Sequence, residues 1–187
     1  ANAEIEGKEL TDEFLDGSWL LIIFAGNDTT RNTISGGIKL LHENQKQREL
    51  LMRDSELLPN FIHETIRCVS PVIHMRRTSL QETEIRGQRI GPFEKISLWY
   101  GAANRDPDIF ENPNEFNILR ENADKHLAFG IGRHTCLGKP IALMQLKEFY
   151  SQFLTRFKDF ELSGEWKVAP NNFVHAIQEM PIKFTPE

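Results

Sequence analysis

Cysteine is scarce in this sequence, with only Cys68 and Cys136 in 187 residues. Two thiols cannot build a disulfide framework, so the chain is expected to rely on its apolar core in a reducing compartment, the cytoplasm. Long apolar runs are missing too. The longest, Trp19 to Ala25, is too short to span a bilayer, which argues against a membrane partner. No signal-peptide pattern opens the chain. Positive charge is not in excess: 22 Lys and Arg face 27 Asp and Glu, a net charge of −5. Without a concentrated basic run, nucleic acid is an unsuitable partner. Repeats, low-complexity segments and linkers are absent, as are flavin, nicotinamide and iron–sulfur motifs. At 40% hydrophobic, the chain can bury one core.

What is present concentrates between His126 and Gly138. There His-Leu-Ala-Phe-Gly-Ile-Gly-Arg-His-Thr-Cys-Leu-Gly brackets one cysteine with three glycines. Glycine permits tight turns and lets a flat ligand come close. A cysteine at such a loop tip, just before a helix starting at Leu137, has its sulfur among backbone N–H groups at the positive helix end. That setting favours thiolate, the metal-binding form. The residues point to an axial cysteine ligand for haem iron; a buried, inert thiol is the other reading.

Phe129-Gly130-x-Gly132-x-His134-x-Cys136-Leu137-Gly138 resembles the haem-binding signature of cytochrome P-450, the haem-thiolate monooxygenases. Every motif found here belongs to the C-terminal half of that family, which is about twice as long. A single partial domain over residues 1–187 is therefore expected, and the start at Ala1-Asn2-Ala3, without methionine, fits a fragment or processed product.

Taken in order, Thr11 to about His42 reads as one long helix, capped by Thr11 with Asp12 and Glu13 in its first turn. Leu15, Trp19, Ile22, Ile23 and Gly26 recur at three- and four-residue spacing as an apolar face. Inside it lies Ala25-Gly26-Asn27-Asp28-Thr29-Thr30. Threonines that bond carbonyls a turn earlier bend helices, so a local distortion is expected there; a polar patch turned to solvent is the competing reading. A second helix is expected over Glu43–Asp54 and a third from about Pro59, where proline suits a first turn. In the third, Glu64 and Arg67 share a face at i, i+3, and by themselves read as a surface ion pair. Ser70-Pro71 ends it. Strands are expected at Val72–Leu80 and Lys95–Tyr100, with a hairpin-like return at Glu84–Gly87. A short helix at Ala102–Pro107 and an irregular meander to Asn122 follow. Leu137–Phe157 reads as a helix burying Ile141, Met144, Leu146, Phe149, Phe153 and Leu154. Short strands are expected near Phe157–Leu162, Phe173–Ile177 and Ile182–Phe184. The fold class is mostly α with a small β-sheet.

The resemblance then assigns roles. Cys136 ligates the iron of haem b, with Ala25, Phe129, Gly130 and Gly138 against the cofactor. Arg77 and His134 face its propionates, leaving Arg76 to solvent or another ion pair. Thr29 steadies bound dioxygen and Asp28 relays protons. Glu64, Arg67 and Arg120, the last from Pro113-x-x-Phe116-x-x-x-Arg120, form a buried structural network. Leu21, Ile22, Phe24, Ile73, Phe173 and Val174 line an apolar substrate pocket. The closest likeness is to soluble bacterial enzymes hydroxylating alkanes, terpenes and sterol side chains. Electrons are expected from a ferredoxin and its ferredoxin reductase, docking near Lys125, Arg133 and Lys139. Two alternatives stand: a truncated, non-catalytic fragment with an incomplete haem pocket, and a haem-thiolate sensor.

Overall fold

The computed structural model describes residues 4–185 of the chain. It begins with a small hairpin, β1 (Glu4–Ile5) and β2 (Lys8–Glu9), which no sequence signal indicated. Helix α1 (Asp12–Glu43) follows, with Thr11 Oγ1 accepting the N–H of Phe14 at 3.3 Å as its cap. Helix α2 (Gln45–Arg53) and a 3-10 turn (Ser55–Leu57) lead into α3 (Leu58–Val69), which carries proline in its first turn and ends at Ser70 in the left-handed region. Strands β3 (His74–Thr78), β4 (Thr83–Ile85), β5 (Gln88–Ile90) and β6 (Lys95–Trp99) precede a short α4 (Tyr100–Ala103). After the meander, α5 (Lys139–Arg156) is followed by β7 (Asp159–Leu162), β8 (Lys167–Val168), β9 (Ile177–Glu179) and β10 (Ile182–Thr185).

The described strands form five two-stranded antiparallel ladders instead of one small sheet. β3 pairs with β6 so that Arg77 opposes Ile96, and β7 pairs with β10 so that Phe160 opposes Phe184. Within the segment expected to be a strand at Phe173–Ile177, Val174 forms an isolated bridge with Val72, and Ile177 opens β9, where it pairs with Val168 of β8.

The core lies where α1, α3 and α5 meet under the meander: Ile38, Leu41, Phe61, Ile62, Ile66, Phe116, Ile118, Leu146 and Tyr150 are buried. Phe61 meets Tyr150 edge-on at 4.7 Å. Each such side chain contributes roughly 1.5–3 kcal/mol by leaving water.

One expectation fails on exposure: in α5, Ile141 and Met144 are exposed rather than buried. The inward face of α1 is its second half, through Asn32, Thr33, Gly36, Gly37, Ile38 and Leu41. In its first half Trp19, Ile22 and Ile23 keep the apolar spacing but are exposed, and so are Phe14, Leu20, Leu21 and Phe24. Helix α1 runs as one element past Thr29, whose hydroxyl makes the expected bond one turn back, to the Ala25 carbonyl at 2.8 Å.

Candidate functional site

The cysteine loop is closed on itself. The N–H of Cys136 donates to the Phe129 carbonyl at 2.8 Å, and that of Gly130 to the Leu127 carbonyl at 2.8 Å. Gly130 and Gly132 both sit at φ +69°, which favours glycine, and a Cβ on Gly130 would press to 3.0 Å from the His134 carbonyl oxygen. Between them and the sulfur lies a 3-10 turn, Gly132–His134, tightened by the Thr135 hydroxyl donating to the Gly132 carbonyl at 2.9 Å. Helix α5 begins three residues after Cys136, and its dipole favours negative charge there.

Cys136 is a free, exposed thiol. Its two large apolar neighbours face outward with it, Ile131 at 76% and Leu137 at 92% exposure. A Cβ on Gly138 would lie 3.8 Å from the Cys136 sulfur, within van der Waals contact of it. A bare sulfur flanked by exposed apolar side chains and side-chain-free backbone is a surface that a flat, apolar, metal-bearing ring fits. Phe129 packs behind the loop, its ring 5.7 Å from that of His126 and 5.6 Å from the Lys139 ammonium. His134 stands exposed on the 3-10 turn. Arg77 lies on β3, donating to the Arg76 carbonyl at 2.9 Å, and pairs with no carboxylate among the described residues. The structure brings neither Arg77 nor His134 into contact with the other.

On α1, Ala25 and Gly26 are exposed, and nothing lies within 4 Å of where a Gly26 Cβ would stand. The Thr29 hydroxyl uses its one hydrogen on the Ala25 carbonyl, leaving oxygen lone pairs to accept from a donor. Asp28 Oδ1 pairs with Arg31 at 3.0 Å, a partly exposed contact that leaves the second carboxylate oxygen available.

Three of the expected pocket residues converge. Phe24 stacks on Phe173 at 6.3 Å between centroids, and the Phe173 carbonyl accepts the N–H of Ile73 at 2.8 Å. Val174 is buried beside Val72 in the bridge, so it backs the wall instead of facing a ligand. Leu21 and Ile22 lie a turn before Phe24 and Ala25 on the exposed part of α1, without a described partner for their faces.

Glu64, Arg67 and Arg120 meet in the interior. Arg67 donates to the Glu64 carboxylate at 2.7 and 2.8 Å, and the Arg120 Nε to both its oxygens at 3.2 Å. The remaining Arg67 hydrogens go to the carbonyls of Asn104, Pro113 and Glu115. This is a fully satisfied buried network, unlike the exposed pair that the i, i+3 spacing alone suggests. Burial alone would lower the Arg67 pKa, but hydrogen bonding to Glu64 and the charges of Cys68 and Glu64 leave it raised.

Two features had no sequence signal. Asn104, buried after α4, accepts the Leu127 N–H at Oδ1 and donates from Nδ2 to the Ser70 hydroxyl at 2.8 Å, joining the network to the cysteine loop. His126 sits against His63, Nε2 to Nδ1 at 3.4 Å, and accepts the Ala128 N–H at Nδ1. That acceptor role places the His126 proton on Nε2, which donates to His63. Burial, and then the neighbouring His63 and Lys139 charges, push the His126 pKa down to about 4; burial also lowers that of His63.

A family model described as Cytochrome P450 matches residues 1–185. Among curated proteins, the chain is 38% identical over 185 residues to cytochrome P450-terp from a Pseudomonas species, covering 99% of this chain and 43% of that protein. It is 37% identical to linalool 8-monooxygenase of Pseudomonas putida (100% and 46% covered) and 39% identical to steroid C26-monooxygenase of Mycobacterium tuberculosis strain H37Rv (99% and 47%). Among solved structures, cytochrome P450-153 from Novosphingobium aromaticivorans superposes with a TM-score of 0.89 at 40% identity, covering 95% of this chain and 45% of that one. CYP108D1 from the same organism gives a TM-score of 0.93 at 33% identity (100% and 45%). The chain spans less than half the length of each of these relatives.

Proposed function

The chain belongs to the cytochrome P450 family, and on that footing we propose that it supplies the haem-ligating and proton-delivering part of a monooxygenase. Its reaction inserts one oxygen atom of dioxygen into a C–H bond of an apolar substrate. The observation that carries this reading is the exposed Cys136 sulfur, held in a closed glycine loop at the head of α5.

Haem b, when bound, supplies the dioxygen chemistry that a thiolate ligand promotes. The chain's own residues bind and insulate it. Cys136 holds the iron, and Phe129 screens the sulfur from water, a shell that tunes the metal. Gly130, Gly138 and Ala25 leave room for a flat ring, while Arg77 and His134 offer donors to its carboxylates. Across the site, the free Asp28 carboxylate oxygen takes protons from solvent and feeds them inward, while the Thr29 oxygen, whose own hydrogen stays on the Ala25 carbonyl, accepts a hydrogen bond that holds the reacting group in place. Glu64, Arg67 and Arg120 fix the meander behind the loop and take no part in the chemistry.

Phe24, Phe173 and Ile73 build an apolar wall beside Ala25, with Leu21 and Ile22 extending it and Val174 backing it. Such a wall selects by shape, which suits a terpene, alkane or steroid-like substrate, in keeping with relatives named for linalool and steroids. Electrons come from an external ferredoxin and ferredoxin reductase. The exposed Arg133 and the neighbouring Lys125 and Lys139 give an acidic donor a basic face close to Cys136. No helix among the described residues is long and apolar enough to cross a membrane, consistent with work in the cytoplasm.

A second reading is favoured by one observation. The outer half of α1 exposes Phe14, Trp19, Leu20, Leu21, Ile22, Ile23 and Phe24 together, and a helix apolar on every side is built to be covered. On this reading the 187 residues are one part of the catalytic unit and hold haem weakly when alone. Supplying haem, electron donors, an apolar substrate and isotopically labelled dioxygen decides between them. One labelled oxygen atom in the product supports a working site, and unlabelled or absent product supports the fragment.

A further inference from the structure

Helices α1 and α5 carry the two ends of the proposed chemistry, with Thr29 on one and Cys136 just ahead of the other. Among the described residues, one phenol hydrogen-bonds across them. Tyr150 of α5 is fully buried, and its hydroxyl donates to the α1 carbonyls of Ile34 at 2.9 Å and Thr33 at 3.2 Å. Those carbonyls also take part in the helix's own ladder, so the phenol is an added donor and not a repair.

Opposite it stands Gly37. A Cβ there would fall 2.0 Å from the Tyr150 hydroxyl oxygen and 2.9 Å from both its ring carbon Cζ and the Thr65 methyl group. The missing side chain is what admits the hydroxyl. The ring cannot swing aside, because Phe61 meets it edge-on at 4.7 Å and Phe149 at 5.3 Å. Burial pushes the phenol's pKa up, so it stays a donor over the working pH range. From Thr33 the run continues up the helix. The Thr33 hydroxyl donates to the Thr29 carbonyl at 2.8 Å, and the Thr29 hydroxyl to that of Ala25 at 2.8 Å.

We propose that Tyr150 is a positioning residue: its hydroxyl, seated against Gly37, sets α1 against α5 and thereby places Thr29 relative to Cys136. The proposal rests on the functional reading above, but it can be tested apart from it. Tyr150→Phe keeps the ring and its packing and removes one bond. The Gly37 and Ile38 amides, which bond the Thr33 and Ile34 carbonyls, should exchange with solvent roughly fivefold faster, as expected for local opening eased by one lost hydrogen bond. In the haem-loaded protein the substrate KM should stay near the parent value while more of the consumed dioxygen leaves as hydrogen peroxide. Leu146→Val, which loosens the same core without touching the hydroxyl, should not raise the peroxide fraction.

Gly37→Ala should disturb the same quantities, and Gly37→Ala combined with Tyr150→Phe should recover part of the loss, since the 2.0 Å clash is with the deleted oxygen. Parent-like exchange in Tyr150→Phe overturns the proposal. So does raised exchange with an unchanged peroxide fraction, which would reduce the bond to a structural tie. A parent protein without turnover would instead overturn the functional reading, and the exchange pair would still decide whether the phenol sets the helix register.

Discussion

Asn104 Oδ1 accepts the N–H of Leu127 at 2.6 Å, while the Asn104 carbonyl takes a hydrogen of Arg67 at 2.8 Å. One buried residue therefore transmits the order of the Glu64–Arg67–Arg120 network to the start of the cysteine loop. Asn104→Ala leaves the Leu127 N–H without its acceptor, an orphan costing about 1–3 kcal/mol, and removes the bond that the Ser70 hydroxyl accepts while leaving the one it donates to the Arg67 carbonyl. Urea unfolding should show a loss in that range, and haem should dissociate faster. A variant with parent stability and parent haem retention would show that the loop is held by other means.

Glu64 is the one carboxylate ion-paired to two buried guanidinium groups, Arg67 and Arg120. Removing one member of such a cluster strands a charge in the interior, at about 3–5 kcal/mol. Glu64→Gln should lower stability by that amount in chemical denaturation. A loss within about 1 kcal/mol, typical of an exposed pair, would contradict the network's structural role.

The pair His63–His126 predicts acid sensitivity. The His126 pKa falls from its ordinary 6.5 to about 4 on folding, so between those values the unfolded chain binds more protons. The favourable contribution is complete above about pH 6.5 and is lost as pH falls towards 4, at up to about 1.4 kcal/mol per pH unit for one such group. Protonation also removes the acceptor that holds the Ala128 N–H. Unfolding midpoints at pH 7 and pH 5 should diverge in the parent and converge in His126→Asn. Equal divergence in both would exclude His126 as the source.

Asp28 stands beside Arg31 on the rim of α1 with one carboxylate oxygen unbonded. If it feeds protons inward, Asp28→Asn should cut product formation by roughly a hundredfold, in the range of general acid–base contributions. The haem spectrum should not change, and a larger solvent isotope effect should accompany the loss. Unchanged rates would remove Asp28 from the proton path.

Much of this was legible in the chain itself, for physical reasons. Thr11 and the proline of α3 mark helix starts through their own backbone chemistry. The glycines around Cys136 mark a loop because positive φ at Gly130 and Gly132 suits little else. Exposure was not legible. The period of Trp19, Ile22 and Ile23, or of Ile141 and Met144, tells which residues share a face, and not whether anything covers that face. Contacts between distant residues were hidden too. Asn104 with Leu127, His63 with His126, and Tyr150 with Gly37 leave no spacing in the sequence, and β8 with β9 is too short to show alternation.

The most direct test of the central claim is the absorption spectrum of the reduced, haem-supplied protein under carbon monoxide, beside Cys136→His. Ligation by Cys136 predicts a Soret band strongly red-shifted to the position typical of thiolate ligation in the parent, and a histidine-type band in the variant. The same spectrum from both, or a histidine-type band in the parent, would contradict Cys136 as the iron ligand.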